Sequence, residues 1–278
     1  TSLQKITDSA IENIYDYLKG DSTDYPTHVA FSTHLILDTF NATTGWSATG
    51  GSISTSTNRQ EGTNSVDLQK TSGSTTVSIN KTLGTAVDMS DVTTLRQWIR
   101  VNSQDTLDSL TSSNCVTIRI GSDSSNYKQI QLDRSDLITI WKQFDLSIED
   151  FSNNGSPDMG NIDYLYISFE TTLSSATWSS GEVLLDFMSG KWPIDESDTT
   201  LHEEVVRKDI SSVEINVPTV RYTGLLSTSE GNTYNYYYVG LFDDASSGDM
   251  YLVNELYLTE KSSEKQLNFY IEIGVRMV

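Results

Sequence analysis

Apolar and polar positions fall into two textures along this chain. Toward the C-terminal end, Tyr236-Tyr237-Tyr238-Val239-Gly240-Leu241-Phe242 and Met250-Tyr251-Leu252-Val253-Asn254-Glu255-Leu256-Tyr257-Leu258 flank a 243–249 link rich in Asp, Ser and Gly. Gly and Asp supply the positive φ and local hydrogen bonds of a tight turn, so the two β-rich runs predict a long hairpin. At the other end, Thr7, Asp8 and Ser9 offer an N-cap and Glu12 an acidic first turn. Ile11, Ile14, Tyr15 and Leu18 then recur at helical spacing until Gly20 closes the segment. A helix this short needs a sheet on which to bury its stripe, and the hairpin is the nearest candidate. Past Pro26, "THVAFS" predicts a strand that belongs with them.

From 35 to 188 the texture changes to short strand-like runs at regular spacing, separated by Ser/Thr-rich links, with almost no helical periodicity. The expected strands cover 35–41, 65–71, 75–81, 94–102, 116–121, 127–133, 141–147, 163–171 and 182–188. Such a series indicates a β-sandwich or jelly roll. The fold class is therefore mainly β: a jelly-roll β-sandwich over 34–190, inserted into a discontinuous small α+β domain made of 1–33 and 191–278, with one N-terminal helix. Trp192-Pro193 marks the return, because Pro holds the residue before it in extended geometry.

Strand alternation then sorts the side chains. Leu95, Ile99 and Val101, Val116, Ile118 and Ile120, Ile130 and Leu132, and Leu165, Ile167 and Phe169 form the expected core face. The opposite face collects Trp98, Arg100, Arg119, Tyr127, Gln129, Gln131, Tyr164 and Tyr166. Flat aromatics beside planar polar groups suit a sugar, whose C–H faces stack on rings while its hydroxyls take directed hydrogen bonds. They suit a subunit contact equally, since aromatic and Arg residues favour protein interfaces.

Composition narrows the partners. Thirty-eight acidic against eighteen basic side chains give a formal charge of −20 and a pI near 4.3. Phosphate backbones need Lys and Arg clusters, so nucleic acid is not an expected partner. Cys115 is the one cysteine, and it sits in apolar alternation, which leaves no disulfide framework and no zinc spacing. His28, His34 and His202 have no partner at metal-ligand spacing, and no nucleophile elbow or phosphate-binding glycine loop appears. Carboxylates are abundant enough to leave a glycosidase pair open, but acids this common in loops serve solvation. The expectation is a non-enzymatic protein. No secretory h-region and no run of membrane-spanning length is present, so membrane insertion is not expected.

Two resemblances add to this. "VGLFDD…GDMYLVNELYL", preceded by "DTTLHEEVVRKDI" and followed by "KQLNFYIEIGVRM", resembles the C-terminal half of a module of tailed-phage tail-collar fibre and related virion proteins; "ITDSAIENIYDYLKG…YPTHVAFST" is comparable to its first half. The resemblance covers 1–33 and about 197–278. It implies a virion protein built with other tail, collar or capsid proteins, assembled in a host cytoplasm, later exposed outside the cell, and homo-oligomeric, with a trimer favoured. "LILDTFNATTGW", "EGTNSVDLQK", "TIRIGSDSSNYKQIQL", "NIDYLYISFET" and "EVLLDFM" resemble, in order, the jelly-roll carbohydrate-binding modules. That likeness implies host-surface glycan adhesion or particle decoration, with a cellular carbohydrate-binding module or a purely structural jelly roll as alternatives. It also implies a structural Ca²⁺ held by Asp38, Glu61 and Asp186. Asp186 lies between Leu185 and Phe187, where it could instead accept hydrogen bonds or face solvent by alternation.

Overall fold

The computed structural model describes residues 4–6, 26–194, 198–216, 219–232, 235–246 and 248–274. The helix expected over 7–20 lies outside the described residues. The chain divides into two compact units, one of 1–34 with 194–278 and one of 35–193. Strands β1 (Gln4–Ile6) and β2 (His28–Ser32) open the first unit. The second carries β3 (Leu35–Asp38), β4 (Trp46–Thr49), β5 (Gly51–Ser56), β6 (Ser65–Lys70), β7 (Thr76–Val87) and β8 (Thr94–Val101), then a short helix α1 (Gln104–Ser109). It continues with β9 (Val116–Gly121), β10 (Tyr127–Leu132), β11 (Lys142–Ser147), β12 (Ser152–Asn154), β13 (Ile162–Glu170) and β14 (Trp178–Lys191). The first unit resumes with β15 (Glu204–Asp209), β16 (Ser212–Asn216), β17 (Thr219–Leu226), β18 (Asn235–Phe242), β19 (Met250–Glu260) and β20 (Leu267–Gly274).

The first unit holds a five-stranded sheet, β1-β19-β18-β2-β15, and a three-stranded sheet, β16-β17-β20. The expected hairpin is β18–β19, in register through Val239↔Asn254 and Leu241↔Leu252. Three consecutive tyrosines, Tyr236, Tyr237 and Tyr238, are all buried there. The whole run 236–242 is buried, so this interior strand is covered on both faces, and a register shift lies between Tyr236 and Tyr238. Phe31 packs its ring between those of Tyr236 and Phe269, with centroids 5.3 and 4.9 Å away.

In the second unit, a six-stranded sheet ordered β12-β10-β9-β13-β7-β4 faces a second sheet, β11-β8-β14-β6-β5, with β3 also on β14. One core fills the space between them, which is a sandwich of the jelly-roll kind. All its pairings are antiparallel, and the register aligns apolar residues into ladders: Ile79, Ile167, Ile118 and Ile130 lie abreast on four strands. Val77, Phe169, Val116 and Leu132 form the next row. Each of these side chains that is fully buried stabilises the sandwich by about 1.5–3 kcal/mol relative to exposure.

Strand β14 breaks its own alternation. Its register against β8 shifts between Asp186 and Met188, and Phe187 between them has φ of 38°, a backbone region that bulky residues rarely adopt. Because of this bulge, Val183, Leu185 and Met188 all reach the core, while Asp186 turns to the other side of the sheet.

The second unit begins and ends on adjacent strands, with Leu35 paired to Gly190. In the first unit, Ser32 on one side of the crossing pairs with Glu204 on the other. Each unit thus closes its own hydrogen bonds at the crossing, so a fragment of residues 35–193 is expected to fold alone. Its thermal unfolding, followed by far-UV circular dichroism, should be a single cooperative transition; a broad, non-cooperative melt would contradict this.

Candidate functional site

On the six-stranded sheet, the register that sends isoleucines inward also lines up the residues turned away from the core. Tyr127 of β10 and Tyr164 of β13 both pair with Gly121 of β9. One step along, Gln129 and Tyr166 both pair with Arg119, and then Gln131 and Ser168 with Thr117. Strand β7 extends the rows with Thr82, Asn80 and Ser78. Gly121 is required: a Cβ there would sit 2.2 Å from the Asn126 carbonyl oxygen and 2.6 Å from Cα of Tyr127. The place a side chain would take is filled by the backbone of Asn126 and Tyr127.

Arg119 stands at the centre of this face. Its guanidinium carbon lies 4.5 Å from the Tyr127 ring centroid and 4.6 Å from that of Tyr166, and its Nε donates to Gln129 Oε1 at 3.2 Å. Gln131 Nε2 donates to Thr117 Oγ1 at 3.3 Å. Burial pushes the Tyr164 hydroxyl above its usual pKa against the opposing pull of Arg119, so it is a neutral hydrogen-bonding group at physiological pH. Among the paired positions of this face the only carboxylate is Glu170, and both its oxygens accept from Thr76 Oγ1, at 2.9 and 2.7 Å.

Six of the eight residues that alternation puts on one face therefore share it: Arg119, Tyr127, Gln129, Gln131, Tyr164 and Tyr166. Trp98 and Arg100 do not. They lie on β8, which pairs with β11 and β14 in the opposite sheet. A period of two tells which way a side chain points from its own strand, but not which sheet that strand joins. Trp98 donates from Nε1 to Glu61 Oε1 at 2.9 Å, and Arg100 Nη2 reaches Asn102 Oδ1 at 2.5 Å. The alternation that found the tyrosines also runs through "TVSINKT", where Ser78, Asn80 and Thr82 oppose Val77 and Ile79; these face residues were legible but not singled out.

The expected calcium ligands do not converge. Asp38 Oδ2 pairs with Lys81 Nζ at 2.5 Å, and its Oδ1 accepts from the Phe40 amide at 2.6 Å. Asp186 Oδ2 accepts from the Gln60 and Glu61 amides at 2.6 and 2.9 Å, while Glu61 serves Trp98. Among the described residues no group of three His, Cys, Asp or Glu side chains is placed to hold a metal ion. Calcium asks for six to eight oxygens; here an ammonium stands beside Asp38 and N–H donors, not carbonyls, point at Asp186, so the residues present do not fit the ion.

Asp186 is fully buried, and its Oδ1 has no hydrogen-bond partner. Burial above all, with nearby Glu61 adding to it, pushes its pKa up to about 7, against the pull of the Glu61 and Gln60 amides. Cys115 is likewise pushed up, to about 12, chiefly by burial, which makes it an inert small apolar side chain. His28 is held structurally, with Nε2 2.8 Å from Asp209.

The folded-state pKa of Asp186 lies above its ordinary value of 3.8, so the native state binds that proton more tightly. Stability from this group is present below about pH 4 and falls as pH rises to about 7, by up to about 1.4 kcal/mol per pH unit. Asp186→Asn keeps an acceptor for the two amides and removes the titration. The difference in melting midpoint between wild type and Asp186→Asn should therefore depend on pH between about 4 and 7, and a pH-independent difference would remove this assignment.

By its sheets the second unit belongs to the jelly-roll sandwiches, with a flat aromatic and amide-lined face. No family model matches the chain, and no curated protein does. Among solved structures it is similar to the family 11 carbohydrate-binding module from Clostridium thermocellum in complex with a β-1,3-1,4-mixed-linked tetrasaccharide. The identity is 16%, the TM-score 0.40, and the match covers 60% of this chain and 96% of that one. It is similar also to the CBM22-1 xylan-binding domain of Xyn10C from Paenibacillus barcinonensis, at 16% identity and TM-score 0.35, covering 59% of this chain and 96% of that one. An exo-β-agarase matches at 10% identity and TM-score 0.43, over 59% of this chain but 26% of the enzyme.

Proposed function

We propose that the protein binds glycan through the outward face of the six-stranded sheet. The observation that carries this is the convergence of Tyr127, Tyr164 and Tyr166 with Gln129, Arg119 and Asn80 on adjoining strands. Pyranose rings take stacking from the tyrosines and directed bonds from the amides and the guanidinium. Binding rather than hydrolysis suits the site: glycosidases flank the scissile bond with two carboxylates, and the paired positions of this face offer one, already bonded to Thr76.

Within this reading the first unit serves as a virion anchor and the jelly roll as an adhesin or decoration, with other virion proteins and a second and third copy of the chain as partners. The support is the motif series over 197–278, whose two apolar runs form the β18–β19 hairpin. Antibodies against residues 35–193 should label intact particles; label confined to cell surfaces would favour a cellular binding module instead.

For the face itself, Tyr164→Ala and Tyr166→Ala should each weaken binding to polysaccharide by about two- to tenfold, since a stacked ring is worth about 0.5–1.5 kcal/mol. Partly exposed rings contribute little to folding, so the melting midpoint should move by no more than about 2 °C. Affinity electrophoresis in polysaccharide-containing gels reads the first and calorimetry the second. If the substitutions instead lower the oligomeric mass and leave glycan retention unchanged, the face is a subunit contact.

A further inference from the structure

Arg119 has no acid. In a chain with thirty-eight carboxylate side chains against eighteen basic ones, Arg96 pairs with Asp145, Arg207 with Glu204 and Arg221 with Glu272, while Arg59 and Arg134 bond backbone carbonyls and Arg100 bonds Asn102. Among the described residues no carboxylate pairs with Arg119, although it occupies the central row of a six-stranded sheet. Its neighbours across the strands are Gln129 and Tyr166, and those along β9 are Thr117 and Gly121, all uncharged. Glu170 lies four residues along β13 from Tyr166, roughly 13 Å away at strand rise, and it is engaged by Thr76.

The guanidinium is also held in place. Tyr127 and Tyr166 come from the two strands that flank β9, and their rings lie 4.5 and 4.6 Å from its central carbon. Gln129 takes the Nε proton. The two terminal nitrogens remain, and they are the pair that meets a carboxylate or sulfate oxygen pair edge-on. A cation fixed by cation–π contacts and a neutral amide keeps its full charge, because nothing around it is negative. One step along β9, Gly121 lies between the Tyr127 and Tyr164 positions and adds no side chain of its own to the face. Those positions lie about 10 Å apart, two strand spacings. A sugar seated over Gly121 would bring a substituent to Arg119, about 7 Å along the strand.

We propose that the glycan recognised here is anionic, a chain whose pyranoses carry carboxylate or sulfate groups, with Arg119 as the residue that selects the charge. The inference rests on the glycan-binding reading of the face and specifies its ligand class. The overall negative charge of the protein weakens long-range attraction for such a polymer, so selection depends on the short-range, partly desolvated contact at Arg119 rather than on steering.

The test uses the full chain and matched polymers: alginate and its carboxyl-reduced form, and a sulfated galactan and its desulfated form, compared by isothermal titration calorimetry at fixed salt. Wild type should bind at least one charged polymer about tenfold more tightly than its neutral counterpart. Preference in the alginate pair assigns carboxylate, and preference in the galactan pair assigns sulfate. Arg119→Met should abolish the preference and Arg119→Lys retain part of it, with Tyr164→Ala weakening charged and neutral forms together. The wild-type comparison needs no substitution, so an R119M protein that fails to fold does not shelter the idea. Equal affinity for the charged and neutral members of both pairs, lost in Tyr164→Ala, would overturn the anionic ligand and leave the glycan site standing. Binding to none of the four polymers would overturn the glycan reading and this inference with it.

Discussion

Everything on the candidate site follows from the register of β9 between β10 and β13. Ile118 lies abreast of Ile130 and Ile167, and burying that row on the sandwich core is worth far more than any contact on the outer face. The price of a one-residue slip of β9 would be Arg119 and Thr117 in the core and isoleucines in water. The apolar ladder therefore fixes the outer rows as a by-product: once the isoleucines are abreast, Arg119 must stand between Gln129 and Tyr166, and Gly121 between Tyr127 and Tyr164. Folding energy sets the geometry of a face that itself contributes little to folding.

The opposite sheet solves a different problem. The bulge at Phe187 turns Asp186 away from the core, yet the 57–64 loop closes over it, with the Gln60 and Glu61 amides on one oxygen and Trp98 tied to Glu61. A carboxylate in such a place is held by dipoles without a full countercharge, and its proton affinity rises accordingly. Lys81 does for Asp38 what a metal ion would otherwise do, reaching it from the neighbouring sheet. The acids that a calcium cage would gather are thus spent separately, two of them on the loop that covers Trp98.

Much of this was legible in the sequence. Alternation alone placed the inward residues of β8, β9, β10 and β13 and found six residues of the outer face, because period-2 burial leaves a direct trace in residue type. What alternation does not contain is the partner of each strand, so Trp98 and Arg100 were grouped with residues of the other sheet. Strands β4 and β5 were passed over for another reason: "WSAT" and "GSISTS" have the Ser/Thr-rich composition of a link, and β5 is an edge strand that buries little. A bulge is invisible in composition too, and the one between Tyr236 and Tyr238 lies inside a run that is buried throughout. Strand sequences likewise do not record that Lys81 reaches Asp38.

The acidity of the chain and the isolation of Arg119 belong to one argument. With about two acids for every base, carboxylates are plentiful partners for a surface arginine, as Arg96, Arg207 and Arg221 show, and exposed pairs of that kind contribute at most about 1 kcal/mol each. Arg119 stands outside such pairs among neutral residues, the rows of Gln, Asn, Ser, Thr and Tyr around it. Neutral neighbours give the guanidinium no stabilising partner beyond two rings and an amide. They also leave its charge uncompensated at the point where a sugar would lie. An exposed neutral residue at 119 would satisfy the same register and the same core, so folding alone does not call for an arginine there. The cost and the placement are accounted for together when the missing carboxylate is supplied from outside the chain.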